Sequence, residues 1–137
     1  MIINCQRRVS LDEKDLGSFV RALARTVRVS PESFTVSLVS DRRMAVLNRR
    51  FRDRTQATDV LSFPADSSPG MNGYLGDIAI SIETAQRNAR RFRHSLGEEV
   101  KLLMLHGALH LLGYDHETDR GQMNRRERRL RRRLGLE

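Results

Sequence analysis

Asp77-Ile78-Ala79-Ile80-Ser81-Ile82 is the stretch that decides the fold. Isoleucines alternate with small or polar residues throughout it, and only a strand sends every second side chain to one face. Two helical periodicities follow directly, from about Glu83 to Arg93 and from Glu98 to Leu112, with Gly97 between them. On its N-terminal side, Asp66 to Gly76 contains Pro69, Gly70 and Gly73 and reads as a loop. Before that loop, Val60-Leu61-Ser62-Phe63 reads as a strand stopped by Pro64.

The rest of the chain fits around this centre. Ile2-Ile3-Asn4-Cys5 opens as a short strand, and Asp12 caps a helix with Leu16, Phe19, Val20, Leu23 and Val27 on one face, ended by Pro31. Phe34 to Val39 alternates as a strand, and Ser40 or Asp41 caps a helix with Met44, Leu47 and Phe51 at helical spacing. A last helix is expected from about Glu117 to Leu134. Its segment Arg125 to Arg133 holds seven arginines and one glutamate, while Met123, Leu130 and Leu134 form a thin apolar stripe that predicts docking. The element order is β-α-β-α-β-β-α-α-α. It predicts an α/β (α+β) single domain spanning residues 1–137, with one mixed sheet of about four strands and about five packed helices.

At 137 residues the chain is long enough for one core without staples. Its single cysteine, Cys5, excludes an internal disulfide and a CxxC zinc site, and its apolar neighbours suggest a small core residue. The longest apolar runs are far too short to span a bilayer, and no signal peptide is apparent, so a cytoplasmic protein without membrane contact is expected. The formal net charge is +8, and Lys14 and Lys101 are the only lysines among 25 basic residues. That balance fits a polyanionic partner such as RNA, although a solvated basic surface has the same composition.

Chemistry concentrates in His106-Gly107-Ala108-Leu109-His110-Leu111-Leu112-Gly113-Tyr114-Asp115-His116, which holds three of the four histidines. Residues four apart share a helix face, so the rings of His106 and His110 project the same way. Gly113 can adopt a left-handed conformation, end the helix and turn His116 back toward them. Three imidazoles with an open fourth position suit a catalytic zinc ion. His94, by contrast, reads as a satisfied core histidine. The same offsets occur in the zinc-protease signature His-Glu-x-x-His-x-x-Gly-x-x-His, but Gly107 stands where that motif has its general base. Peptide hydrolysis by that route is disfavoured.

The cluster is similar to the signature of the YbeY family, bacterial endoribonucleases of ribosomal RNA maturation. The matching residues are His106, Gly107, Leu109, His110, Leu111, Gly113, Tyr114, Asp115 and His116. Further matching blocks are Leu47-Asn48, Phe51-Arg52, Thr58 to Pro64, and Gly76-Asp77-Ile78 followed by Ile80. Thr55 and Ala57 depart from the family's pattern, where an acid and a proline are usual. The resemblance implies one Zn2+ held by His106, His110 and His116. It also implies single-strand-specific cleavage near the 3′ end of 16S ribosomal RNA, late 70S ribosome quality control, and a partnership with the small ribosomal subunit. A monomer is expected. Bound zinc can lower the pKa of a water or polarise a phosphoryl oxygen. His106 and Arg52 are the catalytic candidates beside Asp115, Arg52 because a guanidinium stabilises charge developing on phosphate. Asp115 can orient a ligand ring, shuttle a proton or cap the following helix. Asp59, Asp77, Thr58, Ser62 and Tyr114 are as readily structural as catalytic. The competing reading is a non-catalytic RNA- or ribosome-binding assembly factor with a structural metal.

Overall fold

β4 (Gly76–Ser81) forms the centre of the protein, paired on both sides. It is seen in a computed structural model that describes residues 1–52, 58–65, 73–115 and 119–136, with only the backbone at 51 and 52. Along the chain the other elements are β1 (Ile2–Asn4), α1 (Glu13–Val27), β2 (Phe34–Val39), α2 (Asp41–Arg52), β3 (Val60–Pro64), α3 (Ile82–Phe92), α4 (Leu96–Leu111) and α5 (Gln122–Arg133). The strands form one sheet in the order β1-β2-β4-β3. β1, β2 and β4 run parallel, with Val36 opposite Ile78, whereas β3 is antiparallel to β4, with Leu61 opposite Ala79. The mixed α/β architecture expected from the pattern is therefore the one observed.

Alternation along the strands builds two cores. Val36, Leu38, Ile78 and Ile80 face one way and meet Leu16, Leu23, Val100, Met104, Leu105 and Leu109 from α1 and α4. Val39, Leu61 and Ala79 face the other way and meet Met44 of α2. Because both faces are covered, Ile78, Ala79, Ile80 and Ser81 are all buried. Strict alternation in the sequence thus marks two packed faces of unequal side-chain size. Among the described residues no helix is long and apolar enough to cross a membrane.

Several boundaries differ from expectation. Ile82 opens α3 instead of closing the strand, because the chain turns helical after Ser81. The joint between α3 and α4 is not Gly97, which lies inside α4; Arg93 adopts a left-handed φ of 59° and Ser95 Oγ accepts the Glu98 amide at 3.1 Å. α1 stops before Pro31, at Arg28 with φ 63°. Cys5 is exposed and is not a core residue: β1 is an edge strand, and Ile3 and Cys5 lie on its less covered side. α5 begins at Gln122, after Gly121 with φ 95° and behind Asp119, whose carboxylate accepts the amides of Gly121 and Met123, each at 2.8 Å. Asp119 thus serves the start of that helix. Its stripe docks as expected, with Met123 and Leu130 fully buried.

One polar clamp ties α2 to α3. The Asp41 carboxylate accepts hydrogen bonds from the hydroxyls of Ser81 and Thr84 and from Arg87 at 2.8 Å. Burial pushes its pKa up, but these three donors and the Arg87 charge outweigh burial and hold it below the usual value.

Candidate metal centre

α4 is apolar around most of its circumference: Val100, Leu103, Met104, Leu105, Ala108, Leu109 and Leu111 are all buried. A helix of that kind belongs inside a protein, here between the sheet and α1, α3 and α5. Its two histidines occupy a partly buried strip. Their rings stand edge to face with centroids 4.7 Å apart, and the Nε2 atoms of His106 and His110 approach to 3.2 Å. Two nitrogens about 2.0–2.1 Å from a tetrahedral zinc ion are separated by about 3.3–3.4 Å. The pair therefore fits a shared ion without rearrangement of the helix. Gly113 takes the left-handed conformation expected of it, with φ 98°, and its amide donates to the His110 carbonyl at 3.0 Å. His116 lies outside the described residues, as does the Arg52 side chain at the C-terminal end of α2. Among the described residues no set of three or more metal-ligating groups converges.

Gly107 has a structural reason to be glycine. A Cβ there would sit 2.7 Å from Ile78 Cγ2 and 3.2 Å from Ser62 Oγ. Ser62 Oγ donates to the Gly107 carbonyl at 3.0 Å, so α4 lies directly on β3 and β4 at this point. The protease glutamate missing from the sequence would have no room. Ser62 is thus a positioning residue. Asp77 accepts from Tyr74 at 2.6 Å, and Asp59 accepts from Asn88 at 3.3 Å, so both hold neighbouring elements. His94 is satisfied as expected, with Nε2 2.6 Å from Glu99 Oε1. Asp115 is exposed, and Tyr114 packs at the edge of the core.

One residue escaped the sequence reading. Glu127 of α5 places Oε1 3.8 Å from His106 Nδ1, the ring nitrogen that faces away from His110. A carboxylate on that side favours the tautomer that carries its proton on Nδ1 and leaves Nε2 as a lone-pair donor. A signal was available: Glu127 is the only acid among seven arginines, four residues after Met123 and three before Leu130, hence on the docked stripe. His106 and Glu127 open into a cavity of about 500 Å³ that also touches Asp59, His94 and Arg131. A larger cleft of about 660 Å³, bounded by Ser37, Arg43, Phe63 and Asp77, lies on the α2 side of the sheet and includes neither histidine.

Fold and site together define a class: a small α/β protein built on a four-stranded mixed sheet, with a histidine pair on its most buried helix. The profile of the family described as Endoribonuclease YbeY matches residues 1–135, and the chain belongs to that family. A protein named Endoribonuclease YbeY from Nautilia profundicola is 52% identical over 99 residues, covering 72% of this chain and 70% of the relative. Its namesake from Koribacter versatilis is 42% identical over 136 residues, covering 99% and 86%. The solution structure of a Thermotoga maritima protein superposes with a TM-score of 0.66 at 27% identity, covering 98% of this chain and 89% of that one.

Proposed function

We propose that this chain is a zinc-dependent endoribonuclease that cuts single-stranded RNA, acting late in ribosome maturation at the 3′ end of 16S ribosomal RNA and in 70S quality control. Endonucleolytic hydrolysis of RNA follows from membership in a family of that name. The observation that carries the zinc reading is the 3.2 Å approach of the two Nε2 atoms on one face of α4, close to the spacing of two nitrogens on one tetrahedral ion. His116, six residues beyond His110 and past the Gly113 turn, completes the ligand set. Zinc bound there would supply Lewis-acid polarisation of a phosphoryl oxygen and a lowered water pKa.

The chain's own residues supply the rest. His106 and His110 offer neutral nitrogens, with Glu127 favouring the required tautomer at His106. The Arg52 guanidinium stabilises the charge that builds on the phosphate, and Asp115 orients or relays a proton beside His116. The net charge of +8 draws RNA to the site. The proposed setting is the cytoplasm, on the small ribosomal subunit, with the chain as a monomer.

The test measures metal content and cleavage of a single-stranded RNA side by side. His110→Ala is expected to lose both, whereas Arg52→Ala keeps its metal and loses about 10²- to 10³-fold in rate. Undiminished cleavage by metal-free His110→Ala would overturn the zinc reading. A wild type that binds ribosomal subunits but cuts nothing would identify an assembly factor instead.

A further inference from the structure

Phe92, the last residue of α3, leaves 59% of its surface in water, an unusual position for a phenylalanine. It lines the mouth of the same cavity that reaches His106. The Arg91 guanidinium lies over its ring, 5.6 Å from the centroid, and the His94 ring stands tilted beside it at 6.2 Å. Arg90, Arg91 and Arg93 around it are all exposed. Across the cavity, Arg131 of α5 carries a buried Nε that makes no hydrogen bond among the described residues.

Apart from Arg131, the charged side chains of the cavity wall that are not histidines are carboxylates. Glu99 is engaged by His94 at 2.6 Å, Asp59 by Asn88 at 3.3 Å, and Glu127 faces His106. Phosphate is unwelcome among these carboxylates but well placed on the arginine rim. A flat apolar ring at the entrance, acceptors within and guanidinium groups outside suit a nucleobase whose phosphates stay at the surface. We infer that Phe92 is a stacking platform for an unpaired base of single-stranded RNA flanking the scissile position, with Arg91 and its neighbours holding the adjacent phosphates. This rests on the endoribonuclease reading and adds the route by which the strand reaches His106.

The test uses the metal-loaded full chain and a fluorescent single-stranded oligonucleotide with 2′-O-methyl riboses, checked intact on a gel after each titration. Phe92→Ala should weaken binding about 5- to 150-fold with an unchanged salt slope, and Phe92→Tyr should restore affinity to within about twofold. Arg91→Gln should instead flatten the slope of log affinity against log salt by about 0.7, the share of one phosphate on a single strand. Circular dichroism melts establish that each variant is folded. A wild type that binds while Phe92→Ala binds equally well overturns the platform and leaves the endoribonuclease reading intact. A wild type that neither binds this oligonucleotide nor cuts its unmodified counterpart overturns the endoribonuclease reading together with it.

Discussion

Gly107→Ala sets two forces of known size against each other. In a helix interior alanine is favoured over glycine by about 1 kcal/mol, so an α4 loosely placed on the sheet would gain stability. The added Cβ would lie 2.7 Å from Ile78 Cγ2, where apolar carbons need about 3.5–4.0 Å. Ile78 is fully buried and stiff at χ1, and the Gly107 carbonyl is pinned by Ser62 at 3.0 Å, so neither partner can swing aside. Overpacking of this kind costs about 1–3 kcal/mol, which leaves the variant about 1 kcal/mol less stable after the propensity gain is deducted. Ile78→Ala alone should cost about 2–5 kcal/mol. In that background Gly107→Ala should become neutral or stabilising, a coupling of about 1–2 kcal/mol in a double-mutant cycle. Urea unfolding followed by far-ultraviolet circular dichroism measures all four proteins. A single Gly107→Ala variant more stable than wild type would refute close docking of α4 on β4, and with it the steric reason for glycine beside His106.

Glu127→Gln should weaken zinc binding about tenfold in a chelator competition while leaving the unfolding midpoint in place; unchanged affinity would remove the carboxylate from the centre. Asp41 has a carboxyl held below its usual pKa in the folded state, so its contribution to stability is present above the unfolded value and lost as pH falls through the folded one. Wild type should therefore lose stability on acidification below about pH 4, and Asp41→Asn, weaker at neutral pH, should follow a shallower curve. Parallel curves for the two proteins would argue that the clamp on α3 has no electrostatic component.

Much of this architecture was legible because local chemistry and packing agree. Phe34 to Val39 and Val60 to Phe63 form strands where their alternation places them, and Asp12 caps α1 through its Oδ1 atom at 3.0 Å from the Asp15 amide. Misreadings fall where the backbone does something unusual for its residue type. Arg28 and Arg93 take left-handed turns normally left to glycine, so the helix ends do not fall at Pro31 and Gly97, where residue type alone predicts them. Cys5 has apolar sequence neighbours but is exposed, because β1 lies at the edge of the sheet and alternation reads the same in edge and central strands. In the site, the His106–His110 pair was readable from helical spacing, whereas Glu127 reaches His106 only through tertiary docking of α5. Gly107 was visible as a missing base; that the sheet itself excludes a side chain there required the fold.

The sheet order also sets a timetable for folding. β3 and β4 are successive strands separated only by residues 65–75, while β2 reaches β4 only after α2 and β3 have intervened. Loop-closure entropy therefore favours early formation of the antiparallel β3–β4 hairpin, with the parallel crossovers later and slower. That hairpin carries both Ser62 and Ile78, the two side chains that receive Gly107. The seat for the histidine helix is thus expected to form from local contacts before the distant strands pair, and substitutions that slow folding should cluster at the hairpin rather than in β1.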